Sequence, residues 1–171
     1  MTEEVKIYRQ GEKEPILSEG EKAAMEYRRQ LENGNLQRAH RLGEALCSLF
    51  LGMPVAGEFA AQQWVLLSFL AENELEHQVG NSIISQSAHS RFAELLEQQS
   101  PELARTVHDA RAFTLYTLNE TRRTPRSEGE IFARLCGCPE QEEFIELGER
   151  LSQDFTDRIT GLIAAAGFIT E

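Results

Sequence analysis

The sequence predicts an all-α protein: about seven antiparallel helices in a compact bundle, with a signal for two duplicated three-helix units packed face to face. Three observations lead there. Helix start and stop residues recur along the chain, and apolar residues between them return at spacings of three and four. Beyond Val5–Tyr8, no stretch alternates with period two. A chain of 171 residues is long enough to close one hydrophobic core.

Residues 1–17 lack a sustained period and contain Gly11 and Pro15, so they read as an extended arm ahead of a single helical domain, 18–171. Ser18 followed by Glu21 has capping-box spacing and opens the first helix, which "NGN" stops near Asn33. A second helix starts at Asn35 and carries Leu42, Ala45, Leu46, Leu49 and Phe50 on one face, until Gly52 and Pro54 end it. The third is expected from Val55 to Val79, stopped by Gly80. Its middle, "FAAQQWVLLSFLA", is apolar on nearly all sides, as in a helix surrounded by others.

The fourth helix, 81–99, has Ile84, Ala88, Phe92 and Leu95 on one stripe. Ser100-Pro101-Glu102 then starts a fifth, since proline at the first helical position lacks only an N–H that would have no partner anyway. That helix is expected to last until Thr124–Pro125. A second "SEGE", Ser127 to Glu130, opens a short sixth, stopped by Gly137 and Pro139, and the last covers about Glu140 to Ala166. Connections of a few residues are what a helical bundle uses.

"GEALCSLFLGMPVAGEF" (43–59) aligns with "GEIFARLCGCPEQEEF" (129–144) when one residue is deleted. Gly43, Leu49, Gly52, Pro54 and Phe59 then fall on Gly129, Leu135, Gly137, Pro139 and Phe144. The match suggests an internal repeat of approximately 18–85 and 101–171. Two similar helix corners, which need glycine and proline at their joints, explain it equally well.

Composition narrows the function classes. The net charge is −11 and the pI about 4.9, against nonspecific binding to nucleic acid or to an anionic membrane, which needs clustered cations. The most apolar stretches, "WVLLSFLA" and "LIAAAGFI", fall short of the roughly 20 residues that span a bilayer. Three cysteines and an N-terminus without an apolar signal region point to the cytoplasm. Arginines outnumber lysines and cluster at Arg28–Arg29, Arg38 with Arg41, and Arg122–Arg123 with Arg126. Such groups hold phosphate or carboxylate, and the many glutamates are the nearest carboxylates to hand.

The one candidate metal pair is Glu74 and His77 in "AENELEHQVG". Three residues apart on a helix, they point the same way, the Glu-x-x-His spacing of di-iron four-helix bundles. Subtracting 85 from the last helix's stripe places Glu74 and His77 where Ile159 and Leu162 stand, so they lie near the end of an inward face. A second Glu-x-x-His is missing: Gln86–His89 and Arg105–His108 have the spacing but not the carboxylate. The leading expectation is therefore a mutual Glu74–His77 hydrogen bond at a partly wet helix end. Zn or Fe held by the pair with groups from other helices is the alternative.

Cys136 and Cys138, one residue apart, match neither redox nor paired zinc spacing, and Gly137 and Pro139 serve the helix stop. There is no P-loop, GxSxG, HExxH or GxGxxG. Missing motifs lean away from an enzyme and toward a protein–protein interaction or regulatory module whose partner is another protein or a second copy. The apolar end "GLIAAAGFI" either covers the core or forms a shared dimer patch. The competing class is a metal- or small-anion-binding bundle, or an enzyme, with a pocket around Glu74, His77 and an arginine.

Overall fold

The structure, a computed structural model, describes residues 16–170, so all but the last two residues of the expected N-terminal arm lie outside the described residues. It is all-α: no strand occurs among the described residues. The elements are α1 (Glu19–Glu32), α2 (Asn35–Leu51), α3 (Ala60–Val79), α4 (Ser82–Gln99), α5 (Pro101–Thr106), α6 (Ala110–Leu118), a single 3-10 turn (Glu120–Arg122), α7 (Pro125–Leu135) and α8 (Glu142–Ala166).

Eight helices replace the expected seven because the long fifth one breaks. Asp109 accepts a hydrogen bond from the Ala112 N–H at 3.0 Å and caps a new helix, so the chain turns at Val107–His108. A short acidic side chain competes for backbone N–H groups and favours a cap over a helix interior. The third helix starts later than expected, at Ala60, because residues 55–59 form turns with Gly57 at positive φ. The sixth starts earlier, at Pro125. Thr124 is its cap and Ser127 its third residue, each side chain bonding the other's backbone N–H. At α1 the Ser18–Glu21 capping box forms as expected.

Four long helices enclose the core. Their directions are set by which ends meet. Phe59 and Phe144, at the starts of α3 and α8, meet edge to face with centroids 5.2 Å apart. Near the other ends, Gln78 donates to Thr160 at 2.9 Å. So α3 and α8 run the same way. The side chain of Asn35, first residue of α2, bonds both the N–H and the C=O of Ile169, just past α8, so α2 runs opposite to α8. The tight Gly80–Asn81 turn makes α4 opposite to α3. All-antiparallel packing is thereby corrected: α3 with α4 and α2 with α8 are antiparallel, whereas α3 with α8 and α2 with α4 are parallel. In chain order the four still alternate, since α2 to α3, α3 to α4 and α4 to α8 each reverse direction. Residues 52–59 and the α5–α7 segment join helices that lie diagonally across the bundle rather than side by side, and this leaves parallel neighbours.

Phe50 sits where the four helices converge. It is fully buried, with ring centroids 4.9 Å from Trp64 on α3, 5.3 Å from Phe92 on α4 and 6.3 Å from Phe155 on α8. Around it Leu46, Leu66, Leu70 and Ile159 are also out of water. Leu162, Ile163, Ala166 and Phe168 from the apolar C-terminal stretch pack against this core. Among the described residues, no helix is long and apolar enough to cross a membrane.

Glycines set the closest approaches. A Cβ on Gly43 would lie 2.5 Å from the Ala88 carbonyl of α4, and one on Gly148 would lie 2.8 Å from both Gly129 Cα and Phe132 Cβ. The internal match equates Gly43 with Gly129, yet Gly43 faces α4 whereas Gly129 faces α8, the helix directly after its own. The matched glycines thus do not share a packing role, although the matched Phe59 and Phe144 touch each other.

These contacts separate two glycines in a urea titration. Gly129→Ala would drive a methyl into the Ile145 carbonyl and is expected to lower stability by about 1–3 kcal/mol. Gly161→Ala, in α8 with open space around it, is expected to raise stability by about 0.5–1 kcal/mol.

Candidate functional site

The structure places Glu74 and His77 on the last two turns of α3 but sends them to different partners. Glu74 is buried, 5% exposed, and its carboxylate accepts from the Arg123 guanidinium and, at 2.5 Å, from Gln78. His77 is exposed. Its Nδ1 lies 2.8 Å from the Asn73 carbonyl and its Nε2 lies 2.5 Å from Glu120. The expected mutual hydrogen bond is therefore corrected: each side chain finds a better-placed partner on the 119–124 link. Among the described residues, no three His, Cys, Asp or Glu side chains come close enough together to hold a metal ion.

Arg123 makes Glu74 part of a larger network. Its Nη2 faces Glu74 while its Nε faces Glu128, in the first turn of α7. Glu128 is 1% exposed and also accepts from the Ser152 hydroxyl of α8. Two carboxylates share one guanidinium, leaving the cluster one negative charge in excess. Burial pushes the Glu128 carboxyl up from its ordinary range; Arg123 opposes this, and Glu74 adds to it. Glu74, Arg123, Glu128 and Ser152 line a cavity of about 310 Å³ together with Thr124 and Thr156, so the expected pocket around Glu74 and an arginine forms, but without His77. Every charged group of the network already has a partner within it, so its evident work is to clamp the 119–124 link to α3, α7 and α8.

Single members of the other arginine clusters also find partners in the protein. Arg126 pairs with Glu142 and lies near Glu130 and Glu149, Arg29 pairs with Glu26, and Arg38 donates to the Asn33 carbonyl. Cys136 is buried beside Cys138, and burial pushes its thiol up to about 12.

A concave surface with carboxylates unpaired among the described residues lies between α3 and α4. Two cavities there share Glu72 and His89. One, of about 310 Å³, has an apolar floor of Phe92, Leu96, Ala104 and Val107 and a far wall that includes Phe113 of α6. The other, of about 580 Å³, continues toward Gly80 and is lined by Glu76, Ser82, Ser85 and Gln86. Residues 68, 72, 76 and 80 of α3 line this groove at four-residue intervals, one face of the helix over about 18 Å. Its far wall is held by Tyr116, buried and stacked on Phe69 with centroids 5.0 Å apart, so α6 stands against α3 while Phe113 borders the groove.

Glu72, Glu76 and Glu97 face this groove with no ion pair among the described residues, in contrast to Glu74 one helical step away. The sequence signal for the groove was slight: Glu72 and Glu76 are spaced by four, as on any solvated helix face. Tyr116 is fully buried, whereas Phe113 is half-buried.

No protein-family model matches the chain, no curated protein matches its sequence, and no solved structure matches its fold.

The charge network has a measurable signature. Arg123→Met leaves two inward carboxylates without their cation and is expected to lower unfolding free energy by about 3 kcal/mol, most of it recovered when Glu74→Gln and Glu128→Gln are added. Because folding raises the Glu128 pKa, the stabilisation linked to its proton is complete below the ordinary glutamate range and is lost as pH rises through the folded value. Glu128→Gln has no such loss. Its urea midpoint relative to the wild type is expected to improve between about pH 4 and about pH 8.

Proposed function

We propose that this chain is a protein-recognition module, and that its docking site is the groove between α3 and α4. The observation that carries the reading is the open cavity over the buried Phe92 and Leu96, whose accessible apolar lining is Ala93, Pro101 and Phe113 and whose border carries Glu72, Glu76 and Glu97, none in an ion pair among the described residues. Apolar surface left concave and accessible gains free energy when a partner's side chain fills it, about 25 cal/mol for each Å² removed from water. Unpaired charges at the rim add specificity and steer encounter.

The buried Glu74–Arg123–Glu128 cluster supports this reading by contrast. Its charges are committed to each other, and His77 is turned away toward Glu120, so these residues serve as scaffold for the groove's far wall. The partner is another protein; association with a second copy through the same groove would show as a change in mass by light scattering.

The test uses Ala93, exposed on the groove rim. Ala93→Trp puts an indole across the cavity without entering the core, so stability is expected to stay within about 0.5 kcal/mol of the wild type. Random peptides selected on the wild-type protein are expected to share an apolar anchor and to lose binding to Ala93→Trp. Peptides that bind both proteins equally would move the docking site elsewhere.

A further inference from the structure

The groove is not uniform along its length, and its gradient specifies a partner. At one end Phe92, Leu96 and Val107 form an almost fully buried apolar floor, the accessible apolar lining is Ala93, Pro101 and Phe113, and Glu72, Glu97 and Arg105 carry the charge there. Glu72 and His89 line both regions, and two helical turns along α3 from Ser68 they are joined by Glu76 and by Ser82, Ser85 and Ser90. Glu72 and Glu76 are exposed and make no side-chain hydrogen bond or ion pair among the described residues. From Ser68, beside the apolar floor, to Glu76 is eight residues of helix, about 12 Å.

Building on the recognition reading above, we infer that the occupant is a basic amphipathic helical segment of another protein. Its apolar side chains fill the Phe92–Leu96 end, and lysines or arginines about two turns along the same face lie against Glu72 and Glu76. Charge complementarity carries the choice: an acidic or neutral segment would leave both carboxylates desolvated at the rim without a cation, which is unfavourable. Helix in groove is the geometry that keeps an apolar anchor and a cation on one face at i and i+7 or i+8.

Fluorescence anisotropy with three labelled helical peptides tests this on the intact chain. One carries apolar residues at i and i+4 with lysines at i+7 and i+8; the second replaces the lysines with glutamates; the third replaces the apolar residues with alanine. The lysine peptide is expected to bind best, to weaken as salt is raised, and to lose roughly tenfold on Glu72→Lys with Glu76→Lys. The glutamate peptide is expected to gain on that same variant. Ala93→Trp is expected to abolish binding of both.

If lysine and glutamate peptides bind the wild type equally and only Ala93→Trp removes them, the groove remains a docking site and the basic partner is refuted. If the alanine peptide binds as well as the lysine peptide, the interaction is general attraction to an acidic surface and the anchor is refuted. If no peptide binds, both the partner and the groove reading fall. Both substituted positions in α3 are exposed, and a wild-type thermal midpoint for the double variant shows that the fold is intact.

Discussion

The Phe50 ring is the contact on which the arrangement of the four long helices depends. It comes from the penultimate turn position of α2 and touches an aromatic ring on each of α3, α4 and α8. Aromatic pairs of this kind bury large areas and prefer tilted or edge-on approach, so one side chain fixes three neighbours at once. The mixed helix directions come from the connections: residues 52–59, mostly exposed, carry the chain over the end of the bundle to α3, and α5–α7 carry it around the outside to α8.

That second crossover would be loosely attached without the polar clamp. Short helices such as α5 and α6 bury little apolar surface individually, and α6 buries only Ala112 and Tyr116. Arg123 joins the end of this segment to α3 and α7 through two buried carboxylates, and Glu120 adds the exposed His77 contact. Breaking such a cluster at its cation is severe because the remaining charges stay buried, whereas exposed pairs contribute little. The groove follows from this construction: α5 packs on α4 and α6 on α3, and the space between Phe113 of α6 and α4 is filled by no helix among the described residues.

Much of the fold was legible in the chain because capping is local. Ser18 with Glu21, and Gly80, act through bonds within three residues or through their own backbone freedom, and they fall where the sequence places them. The errors have the same origin. "SEGE" at Ser127 looks identical to the motif at Ser18, but Thr124-Pro125 just before it is the stronger start, and Ser127 becomes the reciprocal partner. Asp109 reads as one more polar residue on a helix until its side chain is seen to cap α6. For the candidate site, the inward position of Glu74 and its need for a partner were readable; the identity of that partner was not. Arg123 lies 49 residues further along the chain, and nothing within three or four residues of either signals the pairing.

By itself the sequence determined that this protein is helical, where most helices begin and end, and which faces are apolar, since these depend on side-chain periodicity and neighbouring backbone groups. The tertiary structure alone decided which helices run parallel, which glutamates are spent on internal arginines and which remain free, and where a concave apolar surface stays open. Those are matters of which distant residues arrive at the same place, and a carboxylate carries no mark in its local sequence that tells a buried clamp from an unoccupied rim.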